Sequence, residues 1–346
     1  MRTIDFRFVI VHQGADRGQL RALADSPAQL RMDDTAEIKT SLSGSFAPSS
    51  DIDWLQDEIR PELILDGTPY PLGVFAPATV SESRSETSVS LQVEAYDRCW
   101  RVRDTYTEGI LSLAEGTNYI TAVKQLLTAA GIATVIETPT SAALSEIRED
   151  WDVGTSYLEI INELLSEINY KPLYFNAQGA AVLEPFFVPA AENIQHVLDS
   201  NEIRTLMLPA NERSTDIYSA PNVFLCICSN PDKDGVLTAT AVNDNPQSPL
   251  SVQRRGRRIM RVENVNNIAS QSELDAYAAR LRNESLFTGE VITVSTALFP
   301  GFGVDDVTAL VLPDLTAICK ERRWEMDLRV GGDMKHKLER VVLSLG

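Results

Sequence analysis

Three histidines, His12, His196 and His336, are the side chains of this chain best suited to moving protons near neutral pH. They are widely spaced, and none belongs to a G-x-S-x-G elbow, a Walker loop, an H-E-x-x-H metal motif or a Rossmann fingerprint. We therefore interpret each histidine as a surface or structural residue. Among the 49 acidic residues, no spacing singles out the pair of carboxylates that glycoside hydrolysis needs. The sequence thus singles out no catalytic residue, and it does not exclude a carboxylate pair.

Metal-ligating residue types are present but are poorly placed for a metal site. Cys226 and Cys228 share a face if they lie on a strand, but Cys99 and Cys319 are far away in sequence. Four cysteines in a chain of this length do not form a disulfide framework, so we predict buried free thiols. Residues 232–235, Asp-Lys-Asp-Gly, resemble part of a calcium loop but lack its distal glutamate, which favours a hairpin turn. We predict neither a metal nor a cofactor.

One basic cluster stands out in a chain whose formal net charge is −18. It consists of Arg254, Arg255, Arg257 and Arg258, with Arg261 close by. One interpretation is a solvated loop at the start of a strand. Another is a subunit interface, at which the arginines meet the acidic surface of a neighbouring copy. Nucleic-acid binding is the weakest interpretation, because the cluster has no interleaved aromatic residues and the charge of the whole chain opposes it.

The totals restrict the class of protein further. The chain of 346 residues is long enough for two or three domains, each with its own core. No apolar run approaches the roughly 20 residues that a membrane span needs, and the N-terminus has no apolar signal-peptide region. We therefore expect no stable membrane insertion, no sequence-specific binding of nucleic acid, and a chain that stays in the cytoplasm where it is made.

The chain falls into three predicted domains, of which the first covers residues 1–97. It contains several short strands, among them residues 4–11, with β-branched and aromatic residues, and residues 87–94, with clean period-2 alternation. A hairpin over residues 62–75 has the two-residue turn signal Asp66-Gly67. Short strands separated by turns predict a β-barrel or sandwich.

The second predicted domain, residues 98–188, is a helical α/β insertion that we call the helical module. Apolar residues at helical spacing predict a helix over about 118–130, with Thr117 as N-cap and Gly131 just beyond its end. A second amphipathic helix is predicted over about 157–169, where Ser156 and Glu159 have capping-box spacing. A short hairpin over residues 173–183 is the expected packing partner of both helices.

The third predicted domain, residues 189–346, returns to β-structure. Residues 222–228 form a nearly continuous apolar run, which is typical of a strand that is buried on both faces. One helix is predicted over about 272–285, with Ser270 or Ser272 as its cap, and further strands follow to the C-terminus. The predicted fold class is therefore α+β and mostly β, with two β-barrel domains, a small α/β insertion and a C-terminal β-rich part.

Several segments in this order resemble the tail hub, or baseplate hub, proteins of bacteriophages and related contractile injection particles. This group includes the prophage tail hub proteins and the late-control D family. The segments are Ala95–Arg98, Leu126–Ile132, Trp151–Leu164, Asn176–Gly179, Leu274–Leu281 and Gly301–Val307. The last of these resembles the family's G-D-x-V strand entry with altered spacing. As a pattern of elements, the resemblance covers most of residues 60–345.

The resemblance implies that the two β-barrels are like those of a tail tube. Three chains would form a pseudo-sixfold ring that adapts a sixfold tube to a threefold spike, with an acidic channel for DNA. It implies a homotrimeric structural protein without an active site, and partners comprising the tail tube protein, a spike or tail-tip protein and the tape-measure protein. It also implies a virion component of the tail or baseplate, assembled in the host bacterial cytoplasm. The helical module would pack outside the ring.

Two other functions stay open from the sequence. A tail-associated cell-wall hydrolase would require a polar cleft with perturbed carboxylates. A carbohydrate-binding or receptor-binding tail component would require exposed aromatic residues on one surface, whereas aromatic residues make up only 7% of the chain.

Overall fold

The computed structural model describes residues 3–24, 26–85, 88–202, 207–215, 220–228, 236–265, 268, 270–284 and 287–341. Its first part contains eight strands, in agreement with the β-rich N-terminal region predicted from the sequence. They are β1 (Ile4–His12), β2 (Ala15–Leu20), β3 (Ala28–Asp33), β4 (Thr40–Phe46), β5 (Glu58–Leu65), β6 (Thr68–Pro71), β7 (Phe75–Arg84) and β8 (Val89–Asp97). The turn between β5 and β6 has Asp66 and Gly67 at φ of 48° and 82°, as the predicted hairpin requires.

The helical module contains three helices and five short strands. They are α1 (Cys99–Arg103), β9 (Leu111–Leu113), α2 (Tyr119–Ala129), β10 (Val135–Glu137), β11 (Arg148–Trp151), α3 (Tyr157–Glu167), β12 (Tyr174–Phe175) and β13 (Ala181–Leu183). The cap of α2 is Asn118 rather than the predicted Thr117, because the Asn118 side chain accepts a hydrogen bond from the Thr121 N–H. Ser156 caps α3 as predicted. The five-residue helix α1 was not predicted, because it is too short to show an apolar period.

The remaining elements follow a short 3-10 helix at Ala191–Asn193. They are β14 (Ile194–Asp199), β15 (Met207–Thr215), β16 (Val223–Cys228), β17 (Leu237–Val242), α4 (Val252–Arg255), β18 (Met260–Val265), α5 (Gln271–Glu284), β19 (Phe287–Ala297), β20 (Val307–Leu312), β21 (Leu315–Leu328) and β22 (Asp333–Val341). Ser270 caps α5, since its hydroxyl accepts from the Glu273 N–H. The segment 232–235, predicted to be a turn, lies outside the described residues.

A 14-stranded sheet joins the two ends of the chain. Its main path runs in the order β15-β19-β22-β21-β3-β4-β8-β7-β5-β1-β2, while β6, β14 and β20 pair at its sides. The join is the antiparallel pairing of β3 with β21, from Ala28 opposite Leu328 to Asp33 opposite Arg323. The predicted class, α+β and mostly β, is confirmed, and the strands of both predicted barrel regions share one sheet.

Three hydrophobic clusters lie in different parts of the described structure. The largest combines residues of β1 to β5, β7 and β8 with residues of β14 and β19 to β22. A second lies within the helical module, where α2 and α3 pack on the short strands β12 and β13. The third lies between α5 and a separate three-stranded sheet ordered β17-β16-β18. We call this last unit, from β16 to α5, the β16–α5 module; it connects β15 to β19. The domain boundaries at residues 97 and 188 stay a prediction.

Candidate assembly surface

The main sheet contains an uninterrupted run of eight strands, ordered β7-β8-β4-β3-β21-β22-β19-β15. Alternation along these strands separates a buried face from a solvent-facing one, which we call the polar face. The registers place the following side chains on it: Gln29, Arg31, Asp33, Ser41, Ser43, Thr79, Ser81, Ser83, Ser90, Gln92, Glu94, Tyr96, Thr293, Ser295, Arg323, Glu325, Asp327, Lys335 and Lys337. Serine and threonine are as numerous in this set as charged residues, eight of each. The same registers add the exposed carboxylates of Glu212 and Asp333, so acidic side chains outnumber the four basic ones on this face.

Complementary side chains cross the polar face where β3 meets β21. Arg31 Nε lies 3.0 Å from Glu325 Oε1, and Arg323 pairs with Asp33. Burial acts to raise the pKa of Asp33, but hydrogen bonds from Thr35 and Arg323 outweigh it and hold that pKa below its ordinary value. Opposite charges on directly paired residues favour one register of the two strands over a slipped one. The sequence thus specifies how its two ends align.

Both ends of the eight-strand run are exposed strand edges. β7 pairs with β5 only through Phe75 and Ile59, and residues 79–84 of β7 are exposed. At the other end, residues 208–214 of β15 are exposed, and within the described residues β15 pairs only with β19. Unpaired backbone N–H and C=O groups on such edges are available to pair with another chain.

A fully buried acid–base pair lies on the inner side of this sheet. His336 Nδ1 is 2.8 Å from Glu321 Oε2, and both side chains are inaccessible to solvent. His336 Nε2 is 3.1 Å from Thr296 Oγ1, and that hydroxyl donates to the Ala297 carbonyl. Thr296 must therefore accept its second bond from Nε2–H, which leaves one proton between His336 and Glu321. Burial raises the pKa of Glu321, while His336 acts to lower it.

Phe302 links this pair to a second one. Its ring lies 3.9 Å from the ring of His196 and 4.7 Å from that of His336, centroid to centroid. His196 Nε2 is 2.8 Å from Asp306 Oδ2, and the same carboxylate oxygen accepts from the Gly303 N–H. The third histidine, His12, is likewise 2.6 Å from a carboxylate oxygen of Asp57. Each histidine therefore contacts a carboxylate that sequence spacing could not identify, and these contacts agree with a structural role.

A cavity of about 280 Å³ lies where the N-terminal strands, the helical module and the C-terminal strands meet. Its lining includes Thr40, Leu72, Tyr174, Phe302 and Trp324. Within the part of the chain that the structure describes, the buried indole N–H of Trp324 has no hydrogen-bond partner. The cavity is a meeting point of three parts of the chain, and Asp306 is the one carboxylate among the described residues of its lining.

Arg98 fixes the helical module to the main sheet beside this cavity. Its guanidinium binds Glu58 in a bidentate manner, at 2.7 and 3.0 Å, and Nη1 donates to the Gly179 carbonyl at 2.7 Å. Gly179 has a φ of 75° and lies against Val74, a contact that leaves no room for a Cβ atom. The segments Ala95–Arg98 and Asn176–Gly179, which carried part of the family resemblance, therefore meet in space.

The predicted interface arginines lie at one end of the β16–α5 module. Arg254 and Arg255 form the last turn of α4, and Arg257 and Arg258 lead into the edge strand β18. Arg255 is half-buried and donates to the Ala220 carbonyl, whereas the other three are exposed. The structure brings the four arginines together on one surface, and their role in an interface stays a prediction.

The four cysteines are free and buried, as predicted. Cys226 and Cys228 share the face of β16 that packs on α5, where burial raises the pKa of Cys226 to about 11. Within the described ranges, no group of His, Cys, Asp and Glu side chains has the arrangement of a metal site. Nor does any helix in those ranges have the length and apolar character to cross a bilayer.

No protein-family model matches the chain, and no curated protein matches it significantly by sequence. Solved structures do match over almost its whole length. The chain is similar to a tail protein from Neisseria meningitidis MC58, with 12% identity, a TM-score of 0.68 and coverage of 97% of each chain. It is also similar to the 43 kDa tail protein of prophage MuSo2 from Shewanella oneidensis, with 10% identity, a TM-score of 0.66 and coverage of 98% of each chain.

A third similar structure is the Escherichia coli c3393 protein, a component of the type VI secretion system that is itself described as similar to the T4 bacteriophage tail proteins gp27 and gp5. The identity is 11% and the TM-score 0.53, over 93% of this chain and 76% of the other. At such low identities the similarity establishes the fold. The chain therefore has the fold of phage tail proteins, which confirms the resemblance predicted from its sequence. The two closely covered neighbours are described as tail proteins and not as enzymes.

Proposed function

We propose that this chain is a structural hub of a phage tail or of a phage-like contractile injection particle. Three copies form a pseudo-sixfold ring that joins the tail tube to the spike or tip and leaves a channel for DNA. The observation that carries the proposal is the eight-strand run, which has a polar face and an exposed edge at each end.

The eight strands divide into two sets of four. The N-terminal half supplies β7, β8, β4 and β3, and the C-terminal half supplies β21, β22, β19 and β15. In a ring, the β3–β21 pairing within each chain would alternate with an equivalent pairing of β15 with β7 of the next chain. Three chains then provide six similar sets of four strands, which supports a threefold assembly with pseudo-sixfold character.

The dimensions of such a ring suit a channel. Twenty-four strands spaced about 4.8 Å apart give a circumference of roughly 115 Å, hence a diameter of about 37 Å before strand tilt widens it. Closed barrels of only 16 to 18 strands already leave a channel filled with water. The interior of the proposed ring is therefore wide enough to stay open after its side chains are placed.

The polar face is the surface that we assign to the channel. The sequence led us to expect an acidic channel, and this face carries charges of both signs with a modest excess of carboxylates among serine and threonine hydroxyls. Arg31 and Arg323 are paired with carboxylates, so they offer little free charge to a phosphate backbone. A wall of this kind neither binds DNA firmly nor repels it strongly, and it suits DNA that has to slide.

The partners of this hub would be further copies of the chain, the tail tube protein, a spike or tail-tip protein, and the tape-measure protein inside the channel. The protein would act in the tail or baseplate of the virion, after assembly in the cytoplasm of the host bacterium. The type VI secretion component among its structural neighbours supports a tail-like injection particle as well as a phage tail.

Disulfide cross-linking between the two exposed edges tests the ring. Single cysteines at each position from 79 to 84 of β7 are combined with Asn211→Cys on β15, and the concentrated protein is oxidised. At least one of the β7 positions should cross-link to Asn211→Cys, because a disulfide forms only when the two Cα atoms lie within about 7 Å. The covalent products should contain at most three chains, because the proposed ring closes at three. The four native cysteines are buried and add little background.

Cysteines on β8 provide the matched control. Ser90→Cys and Gln92→Cys lie one strand further from the edge, so with Asn211→Cys they should stay uncross-linked. Products that extend beyond three chains would indicate an open filament and contradict the closed ring. Equal cross-linking from β7 and β8 would show that the edges do not pair.

A further inference from the structure

The three-stranded sheet of the β16–α5 module has one uncovered face. Phe224, Cys226 and Cys228 of β16 point toward α5, so the alternate residues Leu225 and Ile227 point away from it. Paired residues of the edge strand β18 lie on the same uncovered face, where Met260 and Val262 are 54% and 50% exposed. An apolar sheet face of this kind is typical of a surface that contacts another protein.

The exposed arginines border this face. Arg257 and Arg258 precede β18, and Arg254 lies in the helical turn before them. Within the described residues, no ion pair joins Arg254 or Arg258 to a carboxylate, and both are exposed. The surface therefore combines apolar side chains with positive charge, and we call it the basic patch: Arg254, Arg257, Arg258, Met260 and Val262.

The helical module carries a surface of opposite character. Two neighbouring loops form this surface, and backbone hydrogen bonds join them. Thr107 donates its N–H to the Thr155 carbonyl, and its carbonyl accepts from the Gly154 N–H. Apolar side chains project from these loops and from the adjoining β9–β11 pair, with exposures between 51% and 69%: Tyr106, Ile110, Ile147 and Val153. The exposed carboxylates beside them are Glu108, Glu149 and Asp152. We call these seven residues the acidic patch.

None of the three carboxylates pairs with a cation among the residues that the structure describes. Glu149 is held by the Ser112 hydroxyl at 2.8 Å, so this carboxylate keeps a fixed position on the surface. The helical module, residues 98–188, contains twelve acidic and six basic residues. Its basic residues Lys124, Arg148 and Lys171 are already paired with carboxylates. The acidic patch therefore has unsatisfied negative charge facing solvent.

The helical module of the same chain lies on the α5 side of the β16–α5 module. The helix α5 is the part of the β16–α5 module that contacts the helical module, where Arg280 Nη1 lies 3.5 Å from the Ser166 carbonyl. Met260 and Val262 of the basic patch lie on the opposite side of the sheet from α5, and so these two residues face away from the helical module of their own chain. A complementary acidic surface must come from another molecule.

We infer that the basic patch of one copy docks on the acidic patch of the next copy. The inference rests on the proposed ring. The β16–α5 module connects β15 to β19, so it begins at the end of the very edge strand that faces the next copy. Two different patches that meet head to tail form a heterologous contact, which gives a closed ring when the rotation between copies closes, as in the proposed threefold ring. The modules thus form an outer belt around the sheet ring.

Charge reversal tests this contact. The triple variant Arg254→Glu, Arg257→Glu, Arg258→Glu should weaken trimer assembly by roughly 10-fold to 100-fold in sedimentation experiments at low salt, and less at high salt. Adding Glu108→Lys, Glu149→Lys and Asp152→Lys to the same chain restores opposite charges across the interface and should recover assembly. The second triple alone should weaken assembly as the first does. All six positions are exposed, so folding should be unaffected.

Cysteine pairs provide the independent arm. Met260→Cys with Val153→Cys should cross-link between chains. Met260→Cys with Val330→Cys should not, although Val330 is an even more exposed apolar position outside both patches. Suppose that the β7–β15 cross-links form, but the charge swap does not recover assembly and the two patches do not cross-link. That result refutes the contact between the patches and leaves the proposed ring intact. If the β7–β15 cross-links are also absent, both proposals fall.

Discussion

Replacement of Glu321 by glutamine should change how the stability of the protein depends on pH. In the native protein one proton lies between Glu321 and His336, in a pair that is inaccessible to solvent. A glutamine amide has nearly the same shape and can donate its own N–H to His336 Nδ1, so the hydrogen bonds persist. The folded variant therefore binds one proton fewer than the folded native protein.

The size of the effect follows from proton linkage. Near neutral pH an unfolded glutamate is ionised, so both unfolded chains bind the same number of protons at position 321. The difference in unfolding free energy between native protein and variant should then change by about 1.4 kcal/mol per pH unit over the pH range in which the folded pair keeps its proton. Burial raises the folded pKa of Glu321, so its stabilising contribution is complete below the ordinary glutamate value and is lost as pH rises.

Urea unfolding of both proteins at several pH values between about 6 and 8 measures this difference. The native protein should lose stability relative to the variant as pH rises. Glu321→Ala is the control, because it removes the partner of His336 altogether. It should lower the free energy of unfolding by about 3–5 kcal/mol, because His336 stays buried without that partner. Parallel stability curves for the native protein and Glu321→Gln would refute the shared proton.

Two further substitutions test local contacts, and urea unfolding again reports the result. Gly179→Ala should lower the free energy of unfolding by about 1–3 kcal/mol, because at a φ of 75° the new Cβ would lie 2.6 Å from Val74 Cγ2. Gly131→Ala should lower it by only about 1 kcal/mol, because Gly131 has a φ of 80° but no atom lies within 4 Å of the new Cβ. Equal losses would show that the Val74 contact yields freely. Asn118→Ala should lower the free energy of unfolding by about 1 kcal/mol, because the N-cap of α2 is lost, and Thr117→Ala should lower it by less than about 0.5 kcal/mol. A larger loss for Thr117→Ala than for Asn118→Ala would show that Thr117 is the cap.

The local elements could be predicted well from the sequence, because each has its own periodic signal. The apolar faces of α2 and α3 and the Asp66-Gly67 turn are specified by residues within one or two turns of each other. The run 222–228 indicated a strand buried on both faces. In the structure β16 is central in its sheet, but one of its faces is only partly covered, because Leu225 and Ile227 point to the uncovered side.

The parts that join distant residues could not be predicted. Nothing in the spacing links Asp33 to Arg323 or His196 to Asp306, which are separated by 290 and 110 positions. A pairing of this kind is specified by complementarity across a register, and only the folded sheet shows which register is used. The basic cluster at Arg254–Arg258 was visible in the sequence, but the apolar sheet face beside it appears only when β18 lies next to β16.

The pairing of β3 with β21 also has a consequence for biosynthesis. The two strands lie about 290 residues apart, and a ribosome that adds about 5–20 residues per second needs roughly 15–60 s to synthesise that stretch. During this time the N-terminal strands can fold and β3 can pair with β4, but the other edge of β3 has no partner and is open to other nascent chains. β3 carries polar and charged side chains at Gln29, Arg31 and Asp33. These side chains therefore also protect the nascent chain from edge-to-edge aggregation until its C-terminal strands are synthesised.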